Sequence, residues 1–128
     1  MVEVYHWYVQ PHAEENPEVV ETYRDIVFGR IETAKRALQA LGEWSLKGLI
    51  LQPVAKVSGD SLDQAWTMTN HIDHPWTENG GLQVLGHGCW RSSCVGDVMR
   101  AGAEVYVVGR VGFEHVGSAE DFALVEAR

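Results

Sequence analysis

Between Asn16 and Gly42, apolar side chains recur at steps of three and four: Val19, Val20, Tyr23, Ile26, Val27, Ile31, Ala34, Leu38 and Leu41. That period places them on one stripe of an α-helix, and such a stripe needs a core to lie against. Asn16 is a good N-cap, and Pro17 sits at the first helical position, where a missing N–H does no harm. Glu18, Glu21 and Asp25 near the start, with Lys35 and Arg36 towards the end, suit the helix dipole, and Gly42 supplies a stop. The pattern predicts one long helix over residues 17–41. The rest of the chain must supply the surface that covers it.

That surface reads as a sheet. Residues 2–9, rich in β-branched and aromatic types, predict a strand, and Gln10 to Asn16 a loop. A second strand is expected from Leu46 to Val57, with Pro53 marking an edge, a bulge or an end. Ser61 and Gln64 have capping-box spacing and open a short helix through Ala65, Trp66 and Met68, which Asn70 closes. Residues 71–81 form a long irregular loop. Three short strands are then expected, Leu82–Leu85, Val95–Met99 and Glu104–Val108 with a possible extension to Val111. Residues 100–103 turn the last pair into a hairpin, and Ser118 to Asp121 cap a final helical turn. The fold class is therefore α+β, a single domain over residues 1–128. It combines a small, mainly antiparallel sheet covered by the long helix with a short second helix and a C-terminal β-meander.

Charge narrows the function classes. The 128 residues carry 18 acids against 10 bases, a formal charge of −8. A nucleic-acid surface concentrates Lys and Arg, and here the bases are scattered. No apolar run approaches the roughly 20 residues of a membrane helix. The start, MVEVYHWYV, has neither the basic flank nor the cleavage site of a signal peptide, and there are two cysteines. These features make the expected location the cytoplasm.

Four groups of residues are candidates for chemistry. His71 and His74, followed by His87, Cys89 and Cys94, offer the imidazole and thiolate ligands that zinc prefers. Their spacing is not that of a zinc finger, and Pro75 keeps the two histidines off a regular helix. Buried cysteines and loop histidines are the competing explanation, and no cofactor is expected. Cys94, with Ser92 and Ser93 before it, is a candidate nucleophile if a histidine approaches, but it lacks an elbow motif. Gly86, Gly88, Gly109 and Gly112 fit turns better than a phosphate loop. Trp76 and Trp90 lie in or beside loops, and beside Arg91 they suit either a protein interface or plugs folded back onto the sheet. Asp73 and Glu78 would share that interface. Trp66 suits the core.

The stretch from Leu62 to Asn79 contains Thr69-Asn-His-Ile-Asp-His-Pro-Trp-Thr-Glu-Asn79. It is followed by Arg91-Ser-Ser-Cys-Val-Gly-Asp-Val98, Tyr106-Val-Val and Val111-Gly-Phe113. Together these resemble small proteins of phages, plasmids and other mobile elements that read LTNxIDxPWxEN, RSxSVGDV, YxV and GF in that order. More distantly the chain is similar to short domains of plasmid anti-restriction and maintenance proteins. The resemblance covers residues 62–113 and implies an accessory role without an established activity. Such proteins have Ser where this chain has Cys94, so a catalytic thiol would not be shared. Gly96-Asp97 allows a turn whose carboxylate binds local N–H groups, which makes the second motif architectural first.

The expected function is a non-catalytic, protein-binding accessory protein of a mobile element. Its target would be a host or element-encoded protein, such as one of defence or restriction; in a sharper version, carboxylates of the acidic surface imitate phosphates and occupy a DNA-binding cleft. A zinc or thiol enzyme built on His71, His74, His87, Cys89 and Cys94 is the alternative. A nucleic-acid-binding module using Arg91, Arg100 and Arg110 is the second.

Overall fold

A computed structural model describes residues 1–86 and 90–125. Its strands are β1 (Val2–Val9), β2 (Leu49–Val57), β3 (Leu82–Val84), β4 (Val98–Ala101), β5 (Glu104–Val108) and β6 (Phe113–Ser118). They form one sheet in the order β3-β2-β1-β4-β5-β6, with every neighbouring pair antiparallel. The α+β class and the antiparallel sheet agree with the expectation. Among the described residues no helix is long and apolar enough to cross a membrane.

The single long helix is corrected to three: α1 (Pro17–Val27), α2 (Ile31–Gln39) and α3 (Leu41–Lys47). Asn16 caps α1 as predicted, its Oδ1 accepting from the N–H of Glu18 at 3.1 Å and of Val19 at 3.4 Å. After Phe28 the backbone of Gly29 takes φ +96°, a left-handed value that suits glycine and ends the helix. Gly42, the expected stop, lies inside α3, which ends instead at Gly48 with φ +102°. The apolar stripe survives both breaks. Val19, Ile26, Ala34, Leu38 and Leu41 all reach one buried cluster with Tyr5, Trp7 and Leu49 of the sheet. Three short helices satisfy the same period while following the twist of the strands beneath them.

The opposite sheet face is covered too. Alternation along β1 sends Tyr5 and Trp7 to the helices and Val2 and Val4 to a second core. That core is closed by α4 (Leu62–Met68) and by Trp76, which arrives from the segment after it. Ser61 caps α4 by accepting from Gln64 N–H at 3.1 Å, and the Asn70 side chain donates to the Trp66 carbonyl. Trp66 is partly buried against the same cluster.

Several strand limits shift. Residues 46–47 belong to α3, so β2 begins at Leu49. Its register with β1 slips between Val4 and Tyr5, next to Pro53, so the proline marks a bulge. Residues 95–97 turn rather than extend, which delays the fourth strand to Val98. Gly109 to Gly112 close a tight turn, Gly109 N–H donating to Gly112 O at 2.9 Å. β5 therefore stops at Val108, and β6 is an additional edge strand. Ala101 pairs with Glu104 across the expected hairpin. Ser118 opens the final 3-10 turn, its N–H donating to the Asp121 carboxylate at 2.8 Å.

Candidate functional site

β1 is longer than the partner on its inner side: β4 pairs with it only from Val2 to Tyr5. On the other side, Gln10 N–H donates to Gly48 O at 2.8 Å. Bonded pairs alternate in an antiparallel ladder, so Tyr8 and His6 also bond across to β2, and the main chain of Trp7 points towards the missing end of β4. An ion pair takes the strand's place. Asp97 Oδ1 accepts from Trp7 N–H at 3.3 Å, and Arg91 Nη2 donates to Trp7 O at 3.2 Å. Arg91 grips Asp97 with both terminal nitrogens, at 2.7 and 2.8 Å. Cys94 N–H adds a bond to the same carboxylate at 2.8 Å, and the Trp7 indole donates to Gly96 O at 2.7 Å. Asp97 is fully buried. The Arg91–Asp97 pair is thus a clamp that completes the sheet.

A second polar chain lies beside it. Thr69 Oγ1 donates to Ala65 O at 2.8 Å, Ser93 Oγ stands 2.7 Å from Thr69 Oγ1, and His6 Nε2 stands 2.8 Å from Ser93 Oγ. The carbonyl only accepts, so it fixes the direction: Thr69 spends its proton there, Ser93 donates to Thr69, and His6 Nε2–H donates to Ser93. His6 Nδ1 is left as a bare acceptor with no partner among the described residues. Serine, histidine and aspartate thus meet, but not as a catalytic triad. Asp97 Oδ2 lies 3.8 Å from Nε2, the nitrogen already committed to Ser93, and Ser93 is only 4% exposed.

Burial holds His6 down at about 4, against the pull of Asp97 and with the help of Arg91. The unfolded chain, with an ordinary value near 6.5, then binds the proton more readily than the folded one. This contribution to stability is complete above about pH 6.5 and is lost progressively down to about pH 4, amounting to about 3 kcal/mol. Urea titrations at neutral pH and near pH 4.5 should show wild type losing about 2 kcal/mol more than His6→Gln, which has no such proton to bind. Equal losses in the two proteins would contradict the assignment.

The candidates for chemistry are dispersed or committed. Burial, and then the Asp97 carboxylate, push the Cys94 thiol up to about 12, so it keeps its proton at neutral pH. His71 accepts from Trp76 N–H at Nδ1, 3.0 Å away, and its own N–H donates to Ser92 Oγ at 2.8 Å. His74 Nε2 meets Asn79 Oδ1 at 2.7 Å. His87 and Cys89 lie outside the described residues, as does Gly88. Among the described residues no three His, Cys, Asp or Glu side chains converge on a metal position.

The interface candidates divide. Trp76 is 0% exposed, and its indole donates to Arg91 O at 2.7 Å. It is an interior plug, and its expected role as a partner-facing anchor is corrected, because the loop folds back to close the second core. Trp90 is half-buried, its indole donating to Leu85 O at 2.9 Å. Arg91 is held in the clamp, while Asp73 and Glu78 are exposed. Arg100 Nε donates to Gly102 O at 2.8 Å, and Arg110 belongs to the other hairpin, so the three arginines do not form one basic face.

Sequence reasoning missed an exposed apolar surface formed at two turns. Phe28 is 77% exposed and Val111 98% exposed. They occupy two neighbouring turns, because Arg110 lies across Gly29: a Cβ placed there would stand 3.1 Å from Arg110 Nε. Arg30 is exposed on the same turn, 3.7 Å from Asp25. Two apolar side chains thus project beside two guanidinium groups. The signal in the sequence was Phe28-Gly29-Arg30, an aromatic–glycine–arginine step read as helix interior. Compared with protein families, with characterised proteins and with solved structures, the chain matches none.

Proposed function

We propose that the protein is a non-catalytic binding protein that docks another protein through the tip formed by Phe28, Arg30, Arg110 and Val111. The exposure of Phe28 and Val111 beside two arginines carries this reading. Aromatic and arginine side chains dominate the energetics of protein interfaces, and a large apolar group left in water has a cost that burial against a partner removes. The clamp and the His6–Ser93–Thr69 chain support the non-catalytic half: the polar groups that resemble catalytic machinery are committed to structure. A mobile-element origin and a target in host defence or restriction rest on the motif resemblance. Exposed Glu14, Glu15, Glu18 and Glu21, close together in sequence at the start of α1, support the sharper form in which carboxylates imitate phosphates.

Affinity capture from a lysate of a bacterium carrying such an element tests the reading. A stoichiometric partner is expected with wild type and lost with Phe28→Ser plus Val111→Ser, both surface changes that leave melting unaltered. Retention of that partner by the double variant would overturn the tip assignment. Affinity indifferent to salt would remove the mimicry version.

A further inference from the structure

The Arg110 guanidinium has a fixed seat. A Cβ on Gly29 would stand 3.1 Å from Arg110 Nε and 3.2 Å from Nη2, so the charged end itself lies over the first turn. Gly29 serves this in two ways: at φ +96° it ends α1, and without a side chain it leaves the space that the guanidinium fills. The hairpin that carries Arg110 is closed by the 2.9 Å bond from Gly109 N–H to Gly112 O. Phe28 and Val111 are the chain neighbours of Gly29 and Arg110, so the cation is set among exposed apolar groups.

This charge is available to a partner. Among the described residues Arg110 forms no ion pair. Arg30 meets Asp25 only at 3.7 Å, and its side chain stays 72% exposed. An arginine fork matches a carboxylate in geometry as well as in charge. The acidic start of α1 does not cancel the patch: Glu18 lies about 15 Å from Phe28 by helix rise, beyond the Debye length of about 8 Å at physiological salt. The net charge of −8 sets the protein as a whole against an anionic bilayer, which two arginines and two apolar side chains do not offset.

We infer that the tip receives acidic peptide segments. A carboxylate of the partner takes the Arg110 fork, Arg30 lends a second and weaker charge, and apolar side chains beside that carboxylate cover Phe28 and Val111. The inference rests on the tip being the docking surface and adds the sign of what docks there. It is separate from the acidic start of α1, whose carboxylates would meet a different, basic part of a partner.

Short blocked peptides in which Leu and Phe are flanked by Glu, by Gln or by Lys, and one with Glu but no apolar residue, serve as probes. The amide resonances of Gly29 and Gly112 report their binding. The Glu peptide with Leu and Phe should saturate both shifts with a Kd of about 100 μM, and the other three should bind at least about tenfold more weakly. Arg110→Gln should weaken that peptide about tenfold. Asp25→Asn, which removes the carboxylate shared with Arg30, should tighten it about twofold. Equal affinity for the Glu, Gln and Lys peptides would overturn the inference, as would affinity unchanged by Arg110→Gln. If Phe28→Ser plus Val111→Ser still abolishes binding in those cases, the tip stands as a docking surface without a preference of charge. No saturable shift of either glycine by about 2 mM would overturn the inference and the tip reading together. Tip-dependent sedimentation with phosphatidylglycerol vesicles, in place of peptide binding, would overturn it in favour of a membrane contact.

Discussion

Asp97→Ala should cost about 3–5 kcal/mol of stability, the range for removing one partner of a buried ion pair. The loss goes beyond the pair. Arg91 would keep its charge without the carboxylate that pairs with it, and the main-chain N–H groups of Trp7 and Cys94 would lose their acceptor. The inner end of β1 would then be an unpaired edge beneath a buried indole. Denaturant titration measures the effect directly. Asp97→Asn keeps the shape but not the charge and should fall between wild type and Asp97→Ala. A cycle combining Asp97→Ala with Arg91→Met separates the pair from its surroundings, since the double variant should be less unstable than the two single losses added. An Asp97→Ala protein within about 1 kcal/mol of wild type would show that the clamp does not hold the sheet.

Trp76→Ala should be of similar size, about 3–5 kcal/mol, for a different reason. Its indole is wholly enclosed between α4 and the sheet, so truncation leaves a cavity that the surrounding strands cannot collapse to fill. It also removes the donor to Arg91 O, which loosens the residue that carries the clamp. Trp90→Ala should cost clearly less, because that side chain is only half-buried. Unfolding free energies of the two variants, measured side by side, check the ranking. Comparable values would contradict the difference in enclosure.

The parts of this fold legible in the sequence are those set by local chemistry. Asn16-Pro17 and Ser61 fix helix starts through hydrogen bonds within three residues, and the 100–103 hairpin needs only Gly102 at φ +61°. Asp97 was readable as an acceptor for nearby N–H groups, and Cys94 N–H is one. The other partner, Trp7, lies 90 positions away and has no local trace. The helix breaks escaped for a related reason. Val19 to Leu41 share one core, and a hydrophobic period reports which side chains are buried, not whether the helix bends between them. β6 was hidden because adjacent Glu114 and His115 are both exposed, which blurs the alternation of a half-buried strand. Trp76 and Trp90 read alike in sequence, and only the return path of the loop separates the enclosed side chain from the half-buried one.

These burial patterns also relocate the expected interface. Trp76 serves the interior and Trp90 is half-buried, whereas Phe28 and Val111 project from two neighbouring turns beside Arg30 and Arg110. The motif residues Asn70, His71, Trp76 and Asn79 bond one another or the end of α4, so the first motif is used architecturally, like the second.

Hydrogen exchange on the protein with and without its captured partner tests the central claim most directly. Docking at the tip predicts that protection rises in residues 27–30 and 109–112, while the clamp segment 91–97, already bonded, stays unchanged. Protection that appears instead along 71–79 or 90–97, with the two turns exchanging as before, would contradict it.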